Sequence, residues 1–457
     1  MSLSSLPSEL VSLIAESLPR ADQARLSLAS NQVRSSVQPV LYRNVQFDVD
    51  TFHDAELELF EDGCRRLGQA VESLADDPAR CRFIRRFASK DHQAWLDRED
   101  LAQCVVRILL QATRVEQVDF LQTDDEWVTQ LDWSPYYYIA PVWRVLPRLP
   151  SLRRLTNEVG PVDVLHLESL ENLVELDMRT HIIDERAEGT LPASLEVLHL
   201  ADVRNMTNGW FRPSLFSHLR SLSLFNIDDN AVEVIWNAVV AYAATSRPST
   251  LKRLRLDLHA LDDHVEDPMD WLDDSDTMEA ERTLLLRSLR SFEPLAASVT
   301  HLEILSTPEQ DWRSDTTCLT AVVLDAISSS FVHLERLELF FGGTCHALCQ
   351  FLPTHPHLMG VILRALGKCQ TLRHLETNML FQNAASLRTY ESSNERYTAA
   401  IDSALAPTAQ VLLRTVPSLQ SVILSQDPTQ EPALVWARGE TGEGRESSLE
   451  ELGIVVA

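Results

Sequence analysis

The sequence predicts an α/β fold in which short parallel strands alternate with returning helices along a repeat solenoid. The first observation is a recurring sequence motif, L-x-x-L-x-L. Its last two apolar positions lie two residues apart, as one face of a strand requires. The second is that helical patterns, with apolar residues three and four positions apart, fill the longer gaps between copies. The third is the length of 457 residues, which stacked repeats absorb without separate globular domains.

Copies of this hexapeptide run through most of the chain. The six clearest have their apolar positions at Leu173/Leu176/Met178, Leu195/Leu198/Leu200, Leu219/Leu222/Leu224, Leu251/Leu254/Leu256, Leu334/Leu337/Leu339 and Leu419/Val422/Leu424. Weaker copies have theirs at Ile84/Phe87, Val115/Val118/Phe120, Leu152/Leu155, Val299/Leu302/Ile304, Leu372/Leu375 and Leu449/Leu452/Ile454. Neighbouring copies lie 21 to 24 residues apart between Leu152 and Leu219, and 32 to 48 apart between Leu219 and Leu419. The longer intervals leave room for a full helix and an insertion.

The motif and the spacing of its copies together resemble the leucine-rich repeat, whose unit supplies one strand and one returning helix or loop. The usual period is roughly 20 to 29 residues, so only the stretch from Leu152 to Leu219 matches a regular member. The positions that usually hold Asn or Cys after the last strand leucine hold Ile227 and His259. The resemblance implies an irregular leucine-rich-repeat solenoid with a parallel concave sheet and outer helices.

The composition limits the classes of partner. The chain carries 40 Lys and Arg against 67 Asp and Glu, a net charge of −27. This balance disfavours nucleic acid or an anionic membrane surface, because either would repel the chain. No apolar stretch approaches the roughly 18 to 20 residues of a membrane span, and no secretory signal opens the sequence. Since its seven cysteines show no disulfide framework, we expect a soluble protein of the cytoplasm or nucleus.

The first forty residues predict three short helices. The segment Leu6–Leu10 opens the first helix, because proline and glutamate suit a first turn. Leu18-Pro19 ends it, and Asp22 caps the second helix. The apolar positions of the three helices are Leu10, Leu13, Ile14, Leu26, Ala29, Val33, Val37, Val40 and Leu41. Such a small unit buries too little apolar surface to be stable alone, so it needs the following repeats or another chain to cover it.

These helices resemble an F-box, a family that often continues into leucine-rich repeats. The matching features are Leu6-Pro7-x-Glu9-Leu10, Ile14, Leu18-Pro19, Asp22, Leu26, Leu28-Ala29 and the closing segment Pro39–Val45. The resemblance implies that this unit docks on the Skp-type adaptor of a cullin-RING ubiquitin ligase of the SCF type. By the same resemblance, the residues that make or support the contact with the adaptor are Leu6, Pro7, Leu10, Ile14, Leu26 and Leu28. The alternative is a plain helical cap on the solenoid.

The sequence thus divides into an F-box at residues 1–47, a helical linker at 48–83 and the repeat solenoid at 84–457. Insertions are predicted near 121–144 and 260–282. The first is rich in Trp and Tyr, which anchor a substrate if exposed or pack under a long loop if buried. The second carries ten acidic residues and no Lys or Arg between 262 and 281, which suits either steering of a basic substrate or a solvated insertion. Residues 426–448 are predicted to be a polar linker.

No motif of a familiar enzyme class occurs. The sequence lacks G-x-S-x-G, H-E-x-x-H, the Walker P-loop and a strand-associated G-x-G-x-x-G. The nearest approach to a metal site is Cys345 and Cys349 with His355 and His357, whose spacing is not a zinc pattern. Buried thiols in a repeat helix explain these cysteines better. We therefore expect no catalysis, no cofactor and no bound metal.

The resemblance gives substrate recognition to the concave face of the repeats. Positions between the strand leucines face that side, because alternate residues of a strand point to opposite faces. The residues predicted to contact a protein substrate are Glu175, Asp177, His199, Ser221, Ser223, Arg253, Arg255, Glu335 and Glu338, with Glu196 beside them. His301 and His374 are predicted to line the same surface or face solvent.

The resemblance therefore implies a substrate-recognition adaptor of an SCF-type E3 ubiquitin ligase that performs no chemistry itself. The alternative is a leucine-rich-repeat interaction scaffold with no ligase role, whose N-terminal helices are only a cap. An exposed apolar surface at Leu10, Ile14 and Leu28 favours the receptor, whereas a cap buries it against the first repeat. An enzyme site within an insertion is a third class, for which the sequence gives no sign.

Overall fold

The structure is a computed structural model. It describes residues 6–47, 57–90, 99–121, 140–158, 167–179, 189–201, 203, 206, 209–225, 227, 229–257, 289–306, 316–341, 363–377, 409–424, 434–438 and 444–446. The chain divides into two compact units. Unit 1 comprises Met1–Leu198 and Asp202–Leu215, and unit 2 comprises His199–Ala201 and Phe216–Ala457.

Unit 1 opens with the three predicted helices. They are α1 (Ser8–Glu16), α2 (Arg20–Ser27) and α3 (Asn31–Leu41). Pro7 and Pro19 precede the first two helices, and the Ser30 hydroxyl accepts a hydrogen bond from the Val33 amide at the start of α3. The predicted cap Asp22 is wrong: it lies inside the first turn of α2 and pairs with Arg25, because Pro19 already occupies the capping position.

Parallel strands and helices alternate through the rest of unit 1. Its strands are β1 (Asn44–Phe47), β2 (Arg86–Lys90), β3 (Gln117–Leu121), β4 (Arg154–Asn157) and β5 (Glu175–Arg179), each hydrogen-bonded in parallel to the next. The helices are α4 (Leu57–Ala75), α5 (Pro78–Cys81), α6 (Glu99–Gln111) and α7 (Ala140–Trp143), with a 3-10 turn at Leu146–Arg148. A further strand, β6 (Val197–Ala201), lies at the boundary of the two units.

Unit 2 repeats the alternation of parallel strands and helices. Its parallel strands are β7 (Ser221–Phe225), β8 (Arg253–Asp257), β9 (His301–Ser306), β10 (Arg336–Phe341), β11 (His374–Thr377) and β12 (Ser421–Leu424). Antiparallel strands β13 (Leu434–Arg438) and β14 (Gly444–Glu446) follow. The helices are α8 (Asp229–Ala243), α9 (Glu293–Ala296), α10 (Thr316–Ser330) and residues 363–368 and 409–415, with a 3-10 turn at Pro213–Ser217.

The apolar positions of the hexapeptide form the core of the sheet in unit 2. One register row joins Leu222, Leu254, Leu302, Leu337, Leu375 and Val422 from strand to strand, and every member is at most 2% exposed. A fully buried leucine contributes about 1.5–3 kcal/mol to stability, so this row holds the stack together. The α/β class and the mostly parallel sheet predicted from the repeats are thereby confirmed.

The turn before each strand repeats one hydrogen-bond pattern. The Arg220 carbonyl accepts from the amides of both Lys252 and Arg253, and the Lys252 carbonyl accepts from Thr300 and His301. The carbonyls of Thr300, Glu335 and Arg373 continue the pattern along the next strands. The residue that follows the first leucine of each copy is therefore aligned from strand to strand.

The predicted linker at 426–448 is wrong, because β13 and β14 lie within it. Val435 and Trp436 are buried, and Trp436 pairs in register with Val422 of β12. Burial of these side chains outweighs the surrounding prolines and glycines, which had indicated a linker.

Several predicted features lie outside the described residues. They are the aromatic segment between 122 and 139, the acidic segment 262–281, the residues Cys345, Cys349, His355 and His357, and the last repeat copy at 449–454. Trp143, at the end of the aromatic segment, is buried and packs against Phe120 with ring centroids 6.3 Å apart. No helix in the described ranges is both long and apolar enough to cross a membrane.

Candidate functional site

The N-terminal helices of unit 1 present large apolar side chains to solvent. On α1, the exposed fractions are 46% for Leu10, 60% for Leu13 and 38% for Ile14, and Leu28 at the end of α2 is 73% exposed. Leu10, Leu13 and Ile14 share one helical face, because residues three and four apart are neighbours on a helix. We call these four side chains the N-terminal apolar surface.

The opposite side of the same helices forms a small core. Val11 and Ala15 of α1 pack with Val33 and Val37 of α3, and all four are at most 3% exposed. The core therefore does not need the exposed leucines. Such exposure costs solubility without contributing to folding, which is typical of an interaction surface.

The residues predicted to contact an adaptor fall into two groups. Leu10, Ile14 and Leu28 are exposed, as is Pro7 at the start of α1. Leu6 and Leu26 are partly buried and pack against the core of α1 and α3, where they support the exposed side chains. The prediction did not include Leu13, although its position three residues after Leu10 places it on the same helical face.

In unit 1, the predicted substrate residues Glu175 and Asp177 lie on β5 and are partly buried. The Glu175 carboxylate lies 3.1 Å from the Arg154 guanidinium. Burial raises the pKa of Asp177, and the charge of Asp119 acts in the same direction against that of Arg179. Asp119 itself is buried on β3 and lies 2.6 Å from Nε of Arg86. Strand residues of unit 1 thus form ion pairs across neighbouring strands.

His199 and Ser221 are partly buried. Ser223 differs, because it is only 1% exposed and its predicted exposure is wrong. Its register partner is Arg255, whose guanidinium carbon lies 4.3 Å from the centroid of the Phe225 ring. A short side chain flanked by such long ones lies below the surface they form.

Among the other predicted positions of unit 2, Arg253 is exposed and Arg255 is partly buried. Glu335 is exposed but lies in the turn before β10. Glu338 is buried, so its predicted exposure is also wrong. Arginine and histidine side chains surround its carboxylate, and burial of a charge requires such partners.

Glu338 belongs to a network of ion pairs on β8 to β11, which we call the polar ladder. Its members are Arg253, Arg255, His301, Glu303, Arg336, Glu338 and Glu376. The Glu303 carboxylate lies 3.1 Å from Arg253 and 2.7 Å from Arg255. His301 Nε2 lies 2.8 Å from Glu338, and Arg336 lies 2.5 Å from Glu338 and 3.1 Å from Glu376.

The pKa values of the three carboxylates of the polar ladder shift in different directions. Burial and the nearby Glu338 charge raise the pKa of Glu376 to about 7 and also raise the pKa of Glu303. Burial also favours the neutral form of Glu338, but the hydrogen bond from His301 and the charge of Arg336 outweigh burial and lower its pKa. Burial and a like charge thus raise the pKa of Glu376, whereas the partners of the adjacent Glu338 lower its pKa.

His301, Glu303 and Glu338 also qualify as a possible metal-binding group, since their ligand atoms lie within 4.8 Å of one another. The two carboxylates of this group already pair with arginines. Arg253 and Arg255 hold Glu303, and Arg336 holds Glu338. These cations disfavour a metal ion by direct repulsion, so the cluster is better described as an ion-pair network.

Sequence reasoning missed three members of this network. Glu303, Arg336 and Glu376 belong to the same alternating pattern as the residues that were predicted. For Glu303 and Glu376 the signal was present in the weaker copies of the hexapeptide, at Val299/Leu302/Ile304 and Leu372/Leu375, and for Arg336 in the clear copy at Leu334/Leu337/Leu339. His301 and His374, predicted to line the surface or face solvent, are partly buried on β9 and β11.

No known protein-family model matches the chain, and no curated protein matches it significantly. The assignment of function therefore depends on the surfaces described above.

Proposed function

We propose that the chain is the substrate-recognition subunit of an SCF-type cullin-RING E3 ubiquitin ligase. In this role α1 to α3 dock on the Skp-type adaptor as an F-box, and the leucine-rich repeats bind a protein substrate. Ubiquitin transfer is performed by partner enzymes, and the subunit contributes by holding the substrate close to them.

The observation that carries the proposal is the exposure of the N-terminal apolar surface. A cap on a solenoid buries its apolar side chains against the first repeat, whereas Leu10, Leu13, Ile14 and Leu28 face solvent. Their helices have a separate core beneath them. The surface is therefore preformed and available to another chain.

The repeats supply the second part of the proposal. The polar residues of β8 to β11 are held in fixed positions by ion pairs within the sheet. A surface of fixed charged groups on rigid strands favours specificity for one partner, because no ordering entropy is lost on binding.

The test is a pull-down and titration of the intact chain against a Skp-type adaptor. We expect the double variant Leu10→Ala, Ile14→Ala to lose roughly tenfold or more in affinity, as truncation of central interface residues does. The matched control is Leu110→Ala, which alters an exposed leucine of similar accessibility on α6. Circular dichroism should show both variants folded, since neither removes a core residue.

Two results contradict the proposal. One is failure of the intact chain to bind the adaptor at micromolar concentration. The other is an equal loss of affinity in the Leu110→Ala control. Either result leaves the interaction scaffold without a ligase role as the better description.

A further inference from the structure

In unit 2, the residue just before each strand and the first residue of the strand carry an unusual concentration of positive charge. The two positions that follow the first apolar residue of each copy hold five Lys or Arg and one Glu across β7 to β12. The five cations, which we call the basic band, are Arg220, Lys252, Arg253, Arg336 and Arg373. This balance is opposite to that of the whole chain, whose net charge is −27.

Backbone hydrogen bonds align the basic band. Because the Arg220 carbonyl accepts from Lys252 and Arg253, and the Glu335 carbonyl accepts from Arg373 and His374, these residues follow one another across the sheet. Neighbouring strands lie about 4.8 Å apart, so β7 to β11 span about 19 Å. An extended peptide covers that distance with about six residues.

Not all of this charge is neutralised within the sheet. Arg253 and Arg336 have carboxylate partners in the polar ladder, whereas Lys252 and Arg373 are exposed to solvent in the turns before their strands. These charges affect His374. Burial is the largest cause that lowers the pKa of its imidazole, and the positive charges of Arg336 and Arg373 come next. At the His374 ring, the charges of Arg336 and Arg373 thus act against that of Glu335.

The Arg336 guanidinium forms ion pairs with two carboxylates, those of Glu338 and Glu376. Glu338 lies on the same strand as Arg336 and pairs with His301 as well. Glu376 lies on β11, and among the described residues its only ion-pair partner is Arg336. Glu376 is consequently the partner that is easier to replace. A carboxylate from another molecule has the same geometry and charge as the one it displaces.

We propose that the basic band binds an acidic segment of the protein substrate, and that a substrate carboxylate replaces Glu376 as the second partner of Arg336. The inference deepens the proposed function and rests on the repeats being its substrate surface. It also refines the expectation from net charge, which disfavoured nucleic acid and anionic membrane surfaces as partners. Distant acidic groups are screened beyond about 8 Å at physiological salt, whereas the band acts at contact distance.

Proton uptake accompanies this exchange. Glu376 released from Arg336 is a partly buried carboxylate beside Glu338 and Glu303, and it takes up a proton more readily than when it is paired. The groups that face it are Glu303 and His301 of β9, Arg336 and Glu338 of β10 and His374 of its own strand, while β12 offers no titratable residue among 421–424. Binding is therefore expected to strengthen as the pH falls from about 8 to about 6.

The experiment measures fluorescence anisotropy of the full chain with a labelled peptide of about ten residues that alternates Glu and Ser. A Gln and Ser peptide of equal length is the neutral probe. The double variant Lys252→Gln, Arg373→Gln changes only exposed residues and leaves the polar ladder intact. We expect it to weaken binding of the acidic peptide about tenfold, as loss of charged contacts does.

Arg153→Gln is the matched control. Arg153 occupies the turn position in unit 1 that Lys252 and Arg373 occupy in unit 2, and it too is exposed. We expect it to change affinity less than about threefold, within the usual effect of a remote surface charge. Glu376→Gln, which removes the internal competitor, should bind more tightly than the wild type at about pH 8 and lose most of the pH dependence.

Equal binding of the two peptides, or unchanged affinity in the Lys252→Gln, Arg373→Gln variant, overturns the band as a binding site. Wild-type pH dependence in Glu376→Gln overturns the exchange at Arg336. The Leu10→Ala, Ile14→Ala variant should bind the acidic peptide normally. A chain that binds this peptide but no adaptor refutes the ligase role alone, and the reverse result refutes the band alone.

Discussion

The Arg336 guanidinium on β10 pairs with the Glu376 carboxylate on the adjacent strand β11, with 3.1 Å between Nη2 and Oε2. The same guanidinium lies 2.5 Å from Glu338, which is the register partner of Glu376. One cation thus serves two adjacent carboxylates. Burial and the charge of Glu338 raise the pKa of Glu376 to about 7 against the effect of Arg336, whereas the hydrogen bond from His301 and the charge of Arg336 lower the pKa of Glu338 below its ordinary value.

The first prediction concerns stability against pH. The pKa of Glu376 rises from its ordinary 4.5 to about 7 in the folded chain, so the folded state binds its proton more tightly than the unfolded state. Its contribution to stability is present below about pH 4.5 and is lost as the pH rises through 7. Glu376→Gln should therefore flatten the decline in free energy of unfolding between these pH values, measured by urea denaturation.

Glu338→Gln should change the pH dependence of stability in the opposite direction. Because its pKa is lowered on folding, Glu338 contributes stability above its ordinary pKa of 4.5, and this is lost as the pH falls through the lower folded value. The variant should be less stable than the wild type at neutral pH and approach it in acid. The same pH profile in both glutamine variants would contradict this account of the polar ladder.

The second prediction concerns the leucine row of the sheet. Leu337 is fully buried between Leu302 and Leu375, its register partners on the adjacent strands. Leu337→Ala leaves a cavity and should lower the free energy of unfolding by about 2–5 kcal/mol, measured from urea midpoints. Val332→Ala, at a side chain 48% exposed, should change it by less than about 0.5 kcal/mol. Similar losses in both variants would show that the row does not hold the stack.

The third prediction concerns thiol reactivity. Cys81 and Cys369 are at most 1% exposed, and burial is the largest cause that raises the pKa of each thiol to about 11. Since the thiolate is the reactive form, both should resist alkylation by iodoacetamide in the native chain at neutral pH. Peptide mass spectrometry after labelling, with and without urea, measures this protection. Rapid modification of either residue without urea would contradict the packing around it.

Local patterns in the sequence predicted much of the fold. The apolar positions at Leu254/Leu256 and Leu337/Leu339 identify strands because strand geometry alone places alternate residues on one face. The same reasoning located α1 from its prolines and apolar spacing. It did not find β13, because Val435-Trp436 offers a short apolar signal among Pro and Gly residues.

The sequence by itself determined the repeats, the α/β class, the three N-terminal helices and the identity of the alternating polar positions. Only the tertiary structure decided which of those positions are buried and which charges meet. Arg336 and Glu376 are 40 residues apart in the chain, and the hexapeptide copies are separated by intervals of variable length, so no local pattern specifies their pairing. Strand register brings them together, because each turn carbonyl fixes the position of the next strand and thereby the neighbours of every side chain on it.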